Sequence, residues 1–308
     1  MRLLRLLSLL LAATTLSAQG ASTGATFDET RPPGENFDKA DFRLWMPAIS
    51  GPLRAIVVLV PGSNGDGRPM LNDTVWQAFA TLHHTALLGI HFTDKSHDQS
   101  FIEDYVNVSR GSGQALLDAV TSLAVKSGHS ELATAPFFMW GMSAGGQFDY
   151  EFTAWKPERV VAFVVNKGGI YYTALVPRAA RQVPGLLFIG GKDLESRINT
   201  ITGLFDLNRR GGALWALTEE PSVGHEVARS RDLGAMFFED VMALRMPAGS
   251  TELKPLSEKD GFIGQLHAKS FSPMGDTKSL NYPTAWLPTA RIAKAWLAVV
   301  TDAPFEKP

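Results

Sequence analysis

The segment 136–148, PFFMWGMSAGGQF, changes character at its middle. Phe137 to Trp140 form a short apolar run of the kind a strand buried on both faces shows. Gly141-Met142-Ser143-Ala144-Gly145 follows, and beyond it Phe148, Phe152 and Trp155 recur at i, i+4 and i+7, the spacing of one helix face. A strand, a glycine-flanked serine and a helix in direct succession predict a nucleophile elbow. Such a turn is so tight that the serine hydroxyl projects from the end of the strand. Only residues without bulk two positions to either side avoid collision, and Gly141 and Gly145 supply that clearance. Glycine makes up 28 of 308 residues, so chance alone supplies G-x-S-x-G often enough that the flanking pattern has to decide.

The flanking chain keeps the same rhythm. Ala55 to Val60, AIVVLV, predicts a buried strand. The loop from Pro61 to Pro69, PGSNGDGRP, leaves its C-terminal end, since glycine and proline at that density cannot extend a strand. An earlier strand is expected at Phe42 to Met46, a helix at Val75 to Leu82 and a strand at Thr85 to Phe92. Gln114 to Ser127 reads as an amphipathic helix with Leu116, Val120 and Leu123 on one side and Gly128 as its stop. After the elbow come strands at Val160 to Val165, Gly185 to Ile189 and Ala213 to Thr218. The helices between and after them are expected at Leu194 to Asn208, with Ile198, Ile201 and Phe205 aligned, and at Ser230 to Arg245, with Leu233, Met236, Phe237 and Leu244 inward. Alternating strands and helices imply an α/β fold, a mostly parallel sheet of about eight strands with both faces covered. Residues 247 to 282 show no sustained period and read as a long surface loop. Pro288 can then start a last helix carrying Ile292, Trp296 and Val299 inward.

A serine hydroxyl is a poor nucleophile until an imidazole takes its proton and a carboxylate fixes that imidazole's tautomer. In an open parallel sheet the reacting groups gather at the C-terminal ends of strands. Asp193 stands after the strand Gly185 to Ile189 and a glycine turn, and a capping role at the helix start is compatible with the same position. Glu195 and Asp206 fall inside the following helix and fit less well. His225 stands in the loop after Ala213 to Thr218. His91 also ends a strand but precedes the serine, and His129 and His267 read as surface residues. An oxyanion formed on attack needs two donors. One is the amide of Ala144 at the helix start. The second belongs to the loop after AIVVLV, where Pro61-Gly62-Ser63-Asn64-Gly65 lies.

The order Ser143, Asp193, His225, with short separations, resembles that of the α/β-hydrolase superfamily over residues 40 to 246. Compact secreted esterases, depolymerase-like enzymes and dienelactone hydrolases are the similar members, although the last carry cysteine where this elbow carries serine. The resemblance implies an α/β-hydrolase fold without a large cap domain, and a serine carboxylic-ester hydrolase that uses a Ser-His-Asp triad, an acyl-enzyme and no cofactor. It also implies that the Ser63 amide is the second oxyanion donor, with Asn64 as the next candidate. Absence of the H-G-G-G signature argues against the lipase branch that carries it. A serine peptidase, amidase or thioesterase on the same fold is the nearest alternative, with Glu219-Glu220 as a carboxylate pair for anchoring an amine. A binding protein on this scaffold, without catalysis, is the more distant one. Asn64, Trp140, Tyr171 and Tyr172 are expected to line the substrate pocket.

Composition narrows the partners. With 45% hydrophobic residues and net charge −2, the chain suits one large domain spanning 19–308, its last part, 247–308, packing back on the core. Scattered basic residues give no footprint for nucleic acid. The loop GSNGDG lacks the Lys-Ser/Thr of a phosphate-binding P-loop. Cysteine is absent, which excludes disulfides, thiolate metal sites and a cysteine nucleophile. The histidines show no ligand spacing, so no metal is expected. Arg2 and Arg5, an apolar stretch from Leu6 to Ala13 and small residues to Ala18 read as a secretory signal peptide, 1–18, which implies a secreted or periplasmic protein. No stretch reaches the roughly eighteen apolar residues of a membrane span. A small or polymeric ester is the expected partner.

Overall fold

The computed structural model describes residues 23–98, 102–247, 252–276 and 284–305, so the signal-peptide expectation lies outside the described residues. Strands β1 (Gly24–Arg31), β2 (Lys39–Pro47) and β3 (Ala55–Val60) come first, then α1 (Thr74–His83), β4 (Thr85–Thr93) and α2 (Ser112–Ser127). β5 (Phe137–Met142), α3 (Ala144–Trp155), β6 (Val160–Asn166), the single turn α4 (Arg178–Arg181), β7 (Gly185–Gly190), α5 (Glu195–Arg210), β8 (Trp215–Glu220) and α6 (Ser230–Arg245) follow. These eight strands form one sheet in the order β1-β2-β4-β3-β5-β6-β7-β8. β2 is antiparallel to both neighbours, and β4 through β8 pair in parallel. This is the α/β-hydrolase architecture, with no large cap among the described residues.

Two apolar cores explain why the central strands read as unbroken hydrophobic runs. On one face Phe137, Met139 and Val165 pack with Leu116 and Val120 of α2, Phe148 and Phe152 of α3, and Ile201 and Phe205 of α5. On the other, Phe138, Trp140 and Val164 pack with Trp76 of α1 and with Leu233 and Phe237 of α6. Alternate residues of β5 thus enter different cores. Leu244 departs from its expected inward place and is 41% exposed. Arg245 beside it turns in instead, donating from Nη1 to the carbonyls of Val160 and Val161.

Beyond α6 the expected surface loop is in part a second sheet: β9 (Phe262–Gln265), β10 (Ser270–Pro273) and β11 (Thr284–Leu287) pair antiparallel in the order β10-β9-β11. Strands of four residues carry too little pattern to be seen in a polar, proline-rich tract. The last helix, α7 (Ala290–Val300), starts two residues after Pro288, capped by the Thr289 side chain, which accepts from the Ile292 amide. Trp296 crosses from α7 to donate to the Leu217 carbonyl of β8 at 2.9 Å, and the wholly buried Arg209 donates to the Thr284 carbonyl at 2.9 Å. These contacts hold the C-terminal part on the core.

Asp149 lies inside α3 with no exposure, and neither carboxylate oxygen has a hydrogen-bond partner among the described residues. Burial pushes its carboxyl well above the ordinary value of 3.8. A carboxyl whose pKa rises on folding holds its proton longer in the native state, so stability falls as pH climbs from the unfolded pKa toward the folded one. Asp149→Asn should therefore be more stable than the parent at neutral pH and should lose that part of the pH dependence. Urea unfolding between pH 4 and pH 8 reads both effects.

Candidate active site

Ser143 has φ 55° and ψ −121°, a backbone conformation that a residue with a Cβ occupies at a cost of about 1–3 kcal/mol and only where its surroundings enforce it. Its amide donates to the Asn166 carbonyl at 2.8 Å and its carbonyl accepts from Gln147 N at 3.1 Å, so both ends of the peptide are pinned. The glycines are needed for contact, not flexibility. A Cβ on Gly141 would stand 2.2 Å from the Gly145 carbonyl carbon, and one on Gly145 would stand 2.2 Å from the Val60 carbonyl oxygen. The end of β3 is thereby pressed against the start of α3. A Cβ on Gly62 would lie 3.7 Å from Ser143 Cβ, which puts the loop after β3 beside the serine.

Asp193 and His225 meet across the ends of β7 and β8. His225 Nδ1 lies 3.0 Å from Asp193 Oδ2, while Asp193 Oδ1 accepts from the Leu194 amide at 2.7 Å and from Arg197 Nη1 at 2.5 Å. Burial opposes ionisation of Asp193. The hydrogen bonds from His225 and Leu194 and the charge of Arg197 outweigh it, and the carboxyl is held below its ordinary value. A carboxylate accepting on both oxygens, with its side chain only 3% exposed, faces a histidine whose side chain is 33% exposed. An ionised acid thus orients an imidazole that remains open to solvent, the arrangement a general base needs.

Asn166, at the end of β6, joins this pair to the serine. Its side-chain amide lies 3.0 Å from Met142 Sδ and donates to the Glu226 carbonyl at 3.3 Å. The residue before Ser143 and the residue after His225 therefore meet on one amide group. Neither Asn166 nor Lys167 was singled out from sequence, although the rule that selects Asp193 and His225, a polar residue just past a buried strand, selects this dipeptide too.

The loop after β3 closes as a turn in which Gly65 N donates to the Gly62 carbonyl at 2.9 Å. Asn64 occupies the left-handed region at φ 56°. Its amide donates to the Tyr105 hydroxyl at 3.2 Å, and its side-chain oxygen accepts from Asp94 N at 2.7 Å. That amide is engaged within the protein. A cavity of about 380 Å³ opens beside this loop, lined by Ser63, Asn64, Asp94, Lys95, His97 and Glu103 among others. Asn64 is thus a lining residue, but Trp140, Tyr171 and Tyr172 are not part of that lining. Trp140 is buried on the far face of the sheet under α6, its indole donating to the Ser230 carbonyl at 3.2 Å, because residues of β5 alternate between the two cores. The Tyr171 ring packs edge-on against Tyr150 at 4.9 Å, and Tyr172 turns outward, 43% exposed.

His91 lies 3.9 Å from carboxylate oxygens of Asp41 and Asp66, and His129 bonds Glu131 at 2.7 Å. Among the described residues no cluster of histidines and carboxylates has the makings of a metal site, and no helix is long and apolar enough to cross a membrane.

No family model matches the chain, and no curated protein matches it. Solved structures do: 955 chains match, which marks the architecture as a common one and leaves its chemistry open. One, described as the crystal structure of a thermostable esterase, aligns at 16% identity with a TM-score of 0.49, over 64% of this chain and 54% of that one. The match spans about half of that esterase's length.

Two glycine substitutions should separate the elbow's steric constraint from ordinary helix propensity. Gly145→Ala forces a methyl group onto the Val60 carbonyl and should lower stability by about 1–3 kcal/mol or prevent folding. Gly203→Ala, in α5 where an added Cβ meets nothing within 4 Å, should raise stability by about 0.5–1 kcal/mol. Thermal unfolding of the two variants side by side gives the opposite signs.

Proposed function

We propose that this protein is a serine carboxylic-ester hydrolase, exported after removal of residues 1–18. The observation that carries the reading is the 3.0 Å hydrogen bond between His225 Nδ1 and Asp193 Oδ2 on the sheet edge from which the strained Ser143 projects. Ser143 Oγ attacks the ester carbonyl as His225 Nε2 takes its proton. His225 then returns that proton to the departing alcohol, which leaves an acyl-serine. Water, deprotonated by the same nitrogen, attacks the acyl carbon and releases the carboxylic acid. Asp193 stays ionised throughout and favours the imidazolium that forms at each step. The amides of Ala144 and Ser63 are assigned to the oxyanion. Engagement of the Asn64 amide by Tyr105 supports Ser63 over its neighbour. The reaction as written consumes only water.

The choice of ester over amide is supported by the fate of Glu220. An aminopeptidase needs carboxylates free to anchor an amine, but the Glu220 side chain is 1% exposed and bound to Lys167. The polar lining of the cavity beside Ser63 supports an ester with a hydrophilic portion over a long aliphatic one.

Ser143→Ala should abolish hydrolysis of p-nitrophenyl acetate and leave the folded state intact; retained turnover would sink the assignment. Asp193→Asn should lower kcat by about 10⁴-fold, since an amide at that position stabilises the wrong imidazole tautomer. Activity across p-nitrophenyl esters of increasing chain length, set beside feruloyl, acetyl-sugar and aminopeptide substrates, should favour short or polar esters over both long acyl chains and amides.

A further inference from the structure

Lys167 is a buried group at this sheet edge that the proposed reaction leaves without a role. It follows Asn166 at the end of β6, stands in the left-handed region at φ 57°, and has no solvent exposure. All three ammonium protons find acceptors: Glu220 Oε2 at 2.5 Å, Asn166 Oδ1 at 2.9 Å and the Glu226 carbonyl at 2.9 Å. The other oxygen of Glu220 accepts from the Arg229 amide at 2.9 Å. The buried pair therefore grips the loop between β8 and α6 at two points, Glu226 and Arg229, on the C-terminal side of His225. The lysine stem also passes the acid loop, for a Cβ on Gly190 would come within 3.0 Å of Lys167 Cε.

We infer that Lys167, through its ion pair with Glu220, is a positioning residue that holds the His225 loop in register with Ser143. The inference rests on the function proposed above. Ser143 is tied to the Asn166 carbonyl, Asn166 to Lys167 and to the Glu226 carbonyl, and Glu226 is the next residue after His225. Serine and histidine are 82 positions apart in sequence, and this dipeptide is what couples their backbones. A buried ion pair is a costly way to add stability, because desolvation of both charges offsets their attraction. It is an effective way to fix a direction: an ammonium with three defined acceptors admits one geometry. The clamp acts on the loop's backbone and leaves the imidazole free to move protons.

Removing either partner alone strands a buried charge, so the informative variant is the double one, Lys167→Met with Glu220→Gln. It is neutral, keeps an acceptor for the Arg229 amide, and loses the donors to Glu226 and Asn166. Wild type, the double variant and Ser143→Ala are compared by thermal unfolding, by p-nitrophenyl acetate kinetics, and by the downfield proton resonance of His225 Nδ1–H. The double variant should keep a cooperative transition and a KM within about twofold, lose about 10–100-fold in kcat, and show that resonance shifted or broadened. A folded double variant with wild-type kcat and an unchanged resonance overturns the inference. If the double variant does not fold, amide hydrogen exchange of the wild type decides: the Arg229 amide should exchange as slowly as the core of β6, and exchange at the rate of exposed turns overturns the clamp. An inactive wild-type protein would refute the esterase reading, whereas the resonance and the exchange rate would still test Lys167.

Discussion

The junction of β5 and α3 has no spare volume, and the rest of the site is arranged around that constraint. β5 lies at the middle of the sheet with a core on each face, so the chain cannot leave by bending toward either one. It leaves by a turn in which Gly141, Gly145 and the end of β3 touch backbone to backbone. Ser143 is held in its strained conformation by what surrounds it, with the Asn166 carbonyl on its amide and the loop of Gly62 alongside. Bulk at Gly145 would separate α3 from the end of β3, and bulk at Gly141 would push α3 away from β5.

Electrostatics at the same edge is divided by exposure. Asp193 is buried, ionised and saturated with donors. Lys167 and Glu220 are buried and neutralise one another. His225 is the member left partly open, which is what the proposed reaction asks of its base. The charges that orient thus sit in the protein's interior, and the imidazole sits where solvent reaches it.

The central strands and the long helices were legible because each is amphipathic or wholly apolar over enough residues to show its period. α6 was read at its observed limits, and Leu116, Phe148, Ile201 and Trp296 all face inward as their spacing requires. β1 went unread. GATFDETR is an edge strand whose stability comes from pairing with β2 and from the bidentate bond between Arg43 and Asp28, neither of which leaves an apolar pattern in its own sequence. β9 to β11 were missed for a related reason: each borrows its hydrophobic partner from α7, as Gly264 does in making room for the Trp296 ring. Leu244 shows the opposite failure, a place on the apolar period that the structure leaves exposed while Arg245 beside it turns in to the carbonyls of β6.

The sequence by itself determined the layering of the fold and the identities of Ser143, Asp193 and His225 as candidates, because strand ends, glycine turns and chain order are local features. Only the tertiary structure decided what surrounds them. Trp140 adjoins the elbow in sequence but lies on the opposite face of the sheet, and Glu220, half of the carboxylate pair that the alternative peptidase reading would use as an anchor, is committed to Lys167. Which face a side chain takes depends on the pleat, and which partner a buried charge finds depends on loops brought together by parallel pairing. Those are relations between distant segments, and no single segment records them.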